Sequence, residues 1–264
     1  MPSSHAPPLP GTEKLRALFP IPTQTSDLDK EFLLNAGALV AGSCGSYSYL
    51  EIGSFLGGSL APFLVDPSCK SALSVDDRGL DLVDERGIAY DYAGVTSATM
   101  IDGLAAHGIS TAKLAVHDGP IDTAGGRNEK YQLAFIDGEH TDTACFRDFL
   151  WAMKYMDKDA VVMFHDSVLI YRALQMIFLH LDAAGSPFSF LKKRDSAMSA
   201  VMLGKFKDMD AEAVFGPREP DQEFFSRSEA RMLRHQVKNR VRIGFHPRKL
   251  LVLKIKPPKP VKAF

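Results

Sequence analysis

The sequence has few cysteines and no long apolar segment. Cys44, Cys69 and Cys145 are scattered and odd in number, and no CxxC pair occurs. This pattern argues against a disulfide framework and against a zinc cluster. No apolar run reaches the roughly 18 residues that a membrane span needs. Residues 1–22 are rich in Ser and Pro and lack the basic start and apolar stretch of a secretory signal. These absences predict a cytoplasmic protein.

Acidic residues are absent from the end of the chain. Residues 230–264 contain eleven Lys and Arg residues and no Asp or Glu, whereas the rest contains 20 basic and 32 acidic residues. Such a tail is a solvated segment packed on the acidic body, a subunit contact in a homo-oligomer, or a surface for an anionic partner. An anionic lipid or lipid-linked glycan at the inner membrane face would suit it. Few aromatic residues are interleaved and no RNA-binding motif occurs, which argues against nucleic acid.

The composition is that of an ordinary globular protein. The 264 residues are 45% hydrophobic and 24% charged. This length fits one large domain with appendages. We predict a flexible N-terminal arm at 1–26, a main domain at 27–206 and a helical, basic C-terminal tail at 207–264. Within the tail, 221–242 is predicted as a helix, and 254–262 as extended or disordered.

Short apolar runs alternate with helical patterns along the main domain. The runs are continuous rather than alternating, which is typical of parallel strands buried on both faces. Two closely spaced strands then predict an antiparallel hairpin. The sequence therefore predicts an α/β, Rossmann-like, doubly wound seven-stranded sheet with helices on both faces and a C-terminal hairpin. The strands are predicted at 48–52, 72–75, 113–117, 132–136, 160–164, 188–192 and 197–203; helices are predicted at 141–156 and, capped by Asp166 and Ser167, at 169–183.

A glycine-rich loop follows the first predicted strand. Its G-x-x-x-G spacing differs from the G-x-G-x-x-G of dinucleotide folds. Glycines let a backbone pass close to a ligand, and the next helix adds free N–H groups. An acid before the first glycine repels a pyrophosphate and suits a cationic ligand; a tight turn without a ligand is the alternative. The candidate binding residues here are Glu51, Gly53, Ser54, Gly57 and Ser59.

Polar side chains end the later strands as well. Asp76 ends the second strand, where a carboxylate can accept both hydroxyls of a ribose; a solvated loop acid is the alternative. Asp137 and His140 follow the fourth strand, and His165 and Asp166 follow the fifth. Because the carboxyl ends of neighbouring parallel strands share one crevice, we expect the last four side chains to converge.

Such a cluster suits proton removal from a hydroxyl group. A positioned His contributes about 10²–10⁴ in rate as a general base. A divalent cation can hold substrate oxygens and lower their pKa. Carboxylate ligands suit Mg²⁺ or Mn²⁺, and imidazole is better tolerated by Mn²⁺. Isolated polar residues at strand ends are the alternative reading.

The chain resembles a family of class I S-adenosylmethionine-dependent methyltransferases in the segments YLEIGSFLGGS, FIDGEH and VVMFHDS. The resemblance covers roughly residues 30–205. That family includes macrolide-sugar and rhamnosyl O-methyltransferases and cephalosporin-tailoring proteins. The resemblance implies S-adenosylmethionine as cofactor, with Asp118 near its adenine. It implies Asp137 and Asp166 as metal ligands and His140 as the base. His165 stands where several relatives place an acid, so it is a third ligand, a residue behind the ligands or an alternative base.

The resulting expectation is an O-methyltransferase acting on a hydroxyl of a sugar-containing or other small polar acceptor, assisted by Mg²⁺ or Mn²⁺. Two other classes stay open at this point. One is an accessory or regulatory protein that binds the cofactor without methyl transfer. The other is an NAD-dependent oxidoreductase, which the loop spacing and the final hairpin oppose.

Overall fold

The structure is a computed structural model that describes residues 12–78, 82–125, 129–240, 242–246, 249–254 and 260–262. Its strands are β1 (Tyr47–Ile52), β2 (Cys69–Asp76), β3 (Leu82–Val83), β4 (Ala89–Asp91), β5 (Leu114–Asp118), β6 (Tyr131–Ile136), β7 (Met156–Phe164), β8 (Phe188–Lys193), β9 (Ser199–Leu203), β10 (Arg218–Glu219), β11 (Arg242–His246), β12 (Lys249–Lys254) and β13 (Pro260–Lys262). Its α-helices are α1 (Thr12–Leu18), α2 (Asp27–Cys44), α3 (Ala61–Val65), α4 (Ser97–Ala106), α5 (Asp142–Met153), α6 (Tyr171–Ala183), α7 (Ala211–Phe215) and α8 (Asp221–Arg240).

The central sheet has eight strands in the order β10-β8-β9-β7-β6-β1-β2-β5. The five strands from β7 to β5 pair in parallel, and β9 runs antiparallel to both β7 and β8. This arrangement confirms the predicted doubly wound sheet with its C-terminal hairpin. The two-residue strand β10 extends the hairpin edge by one strand that the sequence did not predict.

Successive side chains of a strand enter two different cores, because they point to opposite faces of the sheet. Leu50 and Ile52 pack in the cluster that also contains residues of α5, α6 and α8. Tyr47 and Tyr49 pack in the other cluster, with residues of α1 to α4 and α7. Helices therefore cover both faces, as the sequence predicts.

The helices near the strand ends differ in detail from their predictions. Thr141 caps α5 as its side chain accepts the N–H of Ala144, but the helix ends at Met153 and not at residue 156, where β7 begins. The predicted capping of α6 by Asp166 and Ser167 is wrong. That helix begins at Tyr171 without a side-chain cap. Ser167 instead bonds to the hairpin, with its Oγ 2.7 Å from the carbonyl of Ala197. A tertiary contact therefore overrides the local capping preference.

The N-terminal segment is folded over the part that the structure describes. The sequence predicts a flexible arm to residue 26, but α1 lies within it, and Leu15, Phe19 and Ile21 are buried in the second core. The segment ends at a capping box, in which Ser26 and Asp29 bond each other's backbone N–H at the start of α2. Residues 1–11 lie outside the described part.

A second, smaller sheet lies beside the strand ends. Strands β3 and β4 form an antiparallel hairpin after β2, and β13 pairs in parallel with β4. In the tail, α8 ends at Arg240, two residues earlier than predicted, and β11 pairs with β12. Contact of the basic tail with an anionic surface stays a prediction. None of the described helices is long and apolar enough to cross a bilayer.

The burial of the N-terminal segment predicts that the protein loses stability when one of its buried side chains is shortened. Ile21 is 4% exposed, whereas Leu28 on the same stretch of chain is 39% exposed. We expect Ile21→Ala to lower the free energy of unfolding by about 2–5 kcal/mol, because it leaves a cavity in the core. Leu28→Ala is the control, with an expected change of about 0.5 kcal/mol. Urea denaturation measures both, and equal losses would contradict the folded arrangement.

Candidate active site

Backbone hydrogen bonds hold four strand ends level at one edge of the sheet. The N–H of Gly53 donates to Val75 at 2.9 Å, and the N–H of Asp137 donates to Ile52 at 2.8 Å. The N–H of His165 donates to Ile136 at 3.2 Å. Each bond joins the residue that follows one strand to one of the last two residues of a neighbour. The loops after β1, β2, β6 and β7 therefore open into one crevice, as predicted.

The loop after β1 requires glycine at its start. Gly53 has a φ of 88°, and a Cβ atom there would lie 2.1 Å from the carbonyl oxygen of Asp137. Gly57 has a φ of 81°, and a Cβ atom would lie 2.9 Å from Met100 Cγ. Both positions favour glycine through their left-handed backbone and through close approach. Gly53 lets the loop pass directly against Asp137, the residue after β6, and Gly57 lets it pass against α4.

Glu51 lies beneath this loop. It is fully buried, and its carboxyl group accepts hydrogen bonds from Tyr49 Oη at 2.5 Å and Ser59 Oγ at 2.7 Å. Burial raises the pKa of Glu51 to about 8, although the two hydroxyl groups act in the opposite direction. Glu51 therefore anchors the far end of the loop to β1. Its predicted role as partner of a cationic ligand stays a prediction, and it lines neither cavity described below.

An arginine joins the two acids that end β2 and β5. Asp76 accepts the N–H of Phe55 at 2.8 Å and so clamps the glycine loop. Arg78 Nη1 lies 2.5 Å from Asp118, and its Nε lies 3.7 Å from Asp76. The sequence reading missed Arg78, although it stands two residues after Asp76. Its guanidinium, only 3% exposed, balances two carboxylates that would otherwise repel each other at the crevice.

A cavity of about 300 Å³ lies between the glycine loop and the ends of β2, β5 and β6. Its walls include Gly53, Asp76, Ile121 and Asp137. Asp118 pairs with Arg78 at the rim and does not line this cavity. The space is partly apolar with a few polar groups, which is typical of a small-molecule site.

A smaller pocket continues from this cavity. It shares Gly53, Phe55, Tyr92 and Asp137 with the larger one and adds Ser54, Ser59, His140 and the segment 22–24. A Cβ atom on Gly58 would lie 2.8 Å from the carbonyl oxygen of Pro22, so the N-terminal segment rests directly on the loop. The two pockets together form one elongated site that ends at His140.

The four predicted catalytic side chains converge at that end. Asp137 Oδ1 lies 3.2 Å from His140 Nε2 and 3.1 Å from His165 Nδ1. His140 Nδ1 lies 3.3 Å from Asp166 Oδ2. The bond between His140 and Asp137 is an aligned hydrogen bond. Among the described residues, neither ring nitrogen of the buried His165 has an aligned partner, despite the close carboxylate oxygens.

Carboxylates and imidazoles stabilise each other's charged forms in this cluster. Burial alone would raise the pKa of Asp137, but His165 and His140 lower it to about 2. Burial alone would lower the pKa of His140, but Asp137 and Asp166 raise it above the usual value. Asp166 is in the left-handed backbone region with a φ of 46°. Aspartate adopts that conformation more readily than most residues other than glycine, and here its carboxylate lies beside His140.

Asp137, His140 and His165 lie close enough together to hold a cation. One ligand atom from each lies within 4.8 Å of the others. Neighbouring ligands at right angles, bonded at about 2.1 Å, would be about 3.0 Å apart, close to the 3.1 and 3.2 Å measured from Asp137 Oδ1. The predicted ligand set was Asp137, His165 and Asp166; the structure groups His140 with the first two and places Asp166 against His140.

The buried carboxyl group of Glu51 predicts a pH effect on stability. Its folded-state pKa of about 8 lies above the ordinary value of 4.5, so the folded protein retains a proton that the unfolded chain loses. The stability that protonated Glu51 gives to the folded state is therefore lost as the pH rises from about 5 through 8. Glu51→Gln mimics the neutral form, and we expect it to gain stability relative to the unmodified protein between pH 5.5 and 8.5. Chemical denaturation at the two pH values measures this, and a constant difference would refute it.

The close approach of Gly53 to Asp137 predicts a severe effect of any side chain. We expect Gly53→Ala to cost about 3 kcal/mol or more, because backbone atoms must move and a left-handed residue gains a Cβ. Gly42→Ala, in α2, is the matched control, since its Cβ would meet nothing within 4 Å. The control should be neutral or stabilising by about 0.5–1 kcal/mol. Similar melting temperatures for the two variants would contradict the loop geometry.

Solved structures share this architecture. TomG, an O-methyltransferase from Streptomyces achromogenes involved in tomaymycin synthesis and solved in complex with SAM, is 15% identical with a TM-score of 0.51. The match covers 74% of this chain and 91% of that chain. An O-methyltransferase from Bacillus cereus, solved with SAH, is 13% identical with a TM-score of 0.50, covering 73% of this chain and 92% of the other. Both comparisons establish the fold.

The family comparison covers the part of the chain that builds the crevice. The model of methyltransferase family 24, described as a methyltransferase domain, matches residues 50–167, from the end of β1 to the residues after β7. A comparison with curated proteins gives no match. The strand order, the glycine loop and the acid that ends β2 agree with this match, so residues 50–167 resemble a class I S-adenosylmethionine-dependent methyltransferase domain of family 24.

Proposed function

We propose that the protein transfers a methyl group from S-adenosylmethionine to a hydroxyl group of a sugar-containing or other small polar acceptor. The observation that carries the proposal is the cluster of Asp137, His140, His165 and Asp166 at the end of the elongated site. A transferase needs the cofactor and a proton acceptor side by side, and this crevice offers both. TomG and the Bacillus cereus enzyme, whose folds are shared, are O-methyltransferases solved with SAM and SAH.

The two connected pockets suit the two ends of the cofactor. The larger cavity would take the adenosine, with Asp76 accepting hydrogen bonds from the ribose. The smaller pocket would take the methionine end, between Ser54, Ser59 and the segment 22–24. Its ammonium group would favour the ionised form of Glu51, whose pKa burial raises to about 8. In this arrangement the methyl group would face His140, which lines the smaller pocket.

His140 is the proposed proton acceptor. Its Nε2 is held by Asp137, which leaves Nδ1 directed to the side of Asp166 and the open end of the site. In the reaction, the acceptor oxygen bonds to the methyl carbon while the carbon–sulfur bond breaks. The sulfur keeps the bonding electrons and becomes a neutral thioether, and the hydroxyl proton passes to Nδ1 of His140. The two flanking carboxylates stabilise the imidazolium that forms.

A divalent cation fits beside this base. Asp137 Oδ1 and His165 Nδ1 would hold it, because His165 is buried without an aligned hydrogen bond among the described residues. A cation there would lower the pKa of the acceptor hydroxyl. A donor set that contains imidazole favours Mn²⁺ over Mg²⁺. The alternative supported by the geometry is that His140 is the third ligand, in which case Asp166 is the nearest carboxylate left as a base.

The hairpin β3–β4 supplies the wall that faces the acceptor. The ring of Tyr90 lies 6.3 Å from that of His140, and the ring of Tyr92 lies 5.5 Å from that of Phe55. Arg86 pairs with Asp84 at 2.5 Å close to these rings. Aromatic faces framed by polar groups suit a ring that carries hydroxyl groups.

Replacement of the proposed base tests the function. We expect His140→Ala to lower turnover by about 10²–10⁴, while its affinity for S-adenosylhomocysteine stays within a few-fold. Methyl transfer from labelled cofactor to a panel of sugars, glycosides and phenols measures the first, and calorimetry measures the second. His107→Ala is the control, since His107 is exposed and, within the described part of the chain, its ring bonds only to Gly103 of the preceding helix.

Two outcomes would overturn the proposal. Transfer by the unmodified protein to none of these hydroxyl acceptors, with the cofactor bound, would point to an accessory protein. Undiminished turnover of His140→Ala would show that another group takes the proton. If metal affinity falls with turnover in that variant, His140 is a ligand rather than the base.

A further inference from the structure

A carboxylate outside the family-matched region lies directly behind His165. Asp29, in the first turn of α2, is buried, and its Oδ2 is 3.5 Å from His165 Nε2. On the other side of the same ring, Nδ1 is 3.1 Å from Asp137 Oδ1. The imidazole of His165 therefore stands between two carboxylates, and only one of them belongs to the crevice.

The position of Asp29 is fixed from two elements. Its Oδ2 accepts hydrogen bonds from the Ser26 N–H at 2.9 Å and the Ser26 Oγ at 2.7 Å. Its Oδ1 accepts from Ser196 Oγ at 2.6 Å and from the N–H of Ala197 at 3.0 Å, both in the turn between β8 and β9. Four donors on one buried carboxylate keep it ionised and leave it little freedom to turn.

Helix capping alone does not account for this arrangement. A capping box needs only the contacts of Asp29 with Ser26, and such residues are common at exposed helix ends. Asp29 is instead enclosed, and its second oxygen holds the turn that follows β8. A buried carboxylate of this kind needs hydrogen-bond donors around it, and Nε2 of His165 faces it.

The buried ring nitrogens of His165 need partners in turn. Both of its ring nitrogens are buried, and neither has an aligned hydrogen bond within the described part of the chain. A histidine that binds a metal through one nitrogen donates the N–H of the other to a carboxylate or carbonyl group, which fixes its tautomer and its orientation. Asp29 stands where the second nitrogen needs that acceptor.

We propose that Asp29 is a positioning residue that accepts the Nε2–H of His165 and so directs the lone pair of Nδ1 toward a divalent cation shared with Asp137. This inference rests on the cation site of the proposed function and extends it to α2. The proton stays on Nε2, so no group is transferred. The cation site is thereby tied to the start of α2 and to the hairpin turn, neither of which carries a ligand.

Manganese binding by the whole chain tests the proposal. Titration of free Mn²⁺, followed by electron paramagnetic resonance, gives the affinity without any acceptor or turnover. We expect Asp29→Ala to weaken Mn²⁺ binding by about 10–100-fold, the usual effect of losing the carboxylate behind a ligating histidine. Affinity for S-adenosylhomocysteine should stay within a few-fold, because Asp29 lines neither of the two pockets.

Two control variants separate positioning from helix stability. Asp27→Asn removes an acid from the same turn of α2, where Asp27 is exposed and, among the described residues, pairs only with Lys30. Thr96→Ala removes the capping box of another helix, α4, and lowers the melting temperature while the contacts of Asp29 remain. Both should keep Mn²⁺ affinity within about two-fold of the unmodified protein, on the basis that neither faces His165. If Asp29→Ala does not fold, Asp29→Asn is measured in its place, because it keeps the size of the side chain while removing its charge.

The possible failures are distinct. If the unmodified protein binds Mn²⁺ and the Asp29 variants bind it equally well, the positioning role is wrong and the cation site stands. If Thr96→Ala loses as much affinity as Asp29→Ala, the effect is structural and the inference fails. If the unmodified protein binds no Mn²⁺, the cation site and this inference fall together, while methyl transfer is judged by its own assay.

Discussion

The site depends on the register of the parallel strands, which aligns their carboxyl ends at one edge of the sheet. The N–H groups of Gly53, Asp137 and His165 each bond to a carbonyl group of the last two residues of a neighbouring strand. A shift of one residue in any of these registers would turn every side chain beyond it to the opposite face. The cofactor loop, the acids and the imidazoles would then point into different cores. The register of β1 with β2 and β6 therefore determines the chemistry as directly as the side chains do.

Charge compensation explains how so many ionisable groups tolerate burial. Starting at α2, the sequence of contacts runs from Asp29 to His165, Asp137, His140 and Asp166, alternating carboxylate and imidazole. Each isolated charge would be expensive to bury, but each has a partner of the opposite type. Arg78 plays the same part for Asp76 and Asp118 on the cofactor side. The crevice can therefore bury these charged groups without destabilising the fold.

The sheet could be predicted from the sequence because its buried strands are continuous apolar runs. The spacing of the glycines located the loop. Sequence reasoning placed Asp137, His140, His165 and Asp166 together because strand ends share one edge. It did not find Asp29, since contact across distant elements leaves no local pattern. Strands β3 and β4 have two and three residues, too few to show a periodicity. The cap of α6 was misplaced because Ser167 satisfies its hydroxyl on β9 instead.

The backbone conformation of Asp166 lowers the stability of the fold, whereas its carboxylate belongs to the proposed site. A left-handed φ of 46° favours glycine and is tolerated by asparagine, and an aspartate there costs about 1 kcal/mol of strain. Directed evolution for heat resistance alone would be drawn to replace it. Such selection would discard the carboxylate that faces His140, so a thermostable lineage of this protein would have to gain its stability elsewhere.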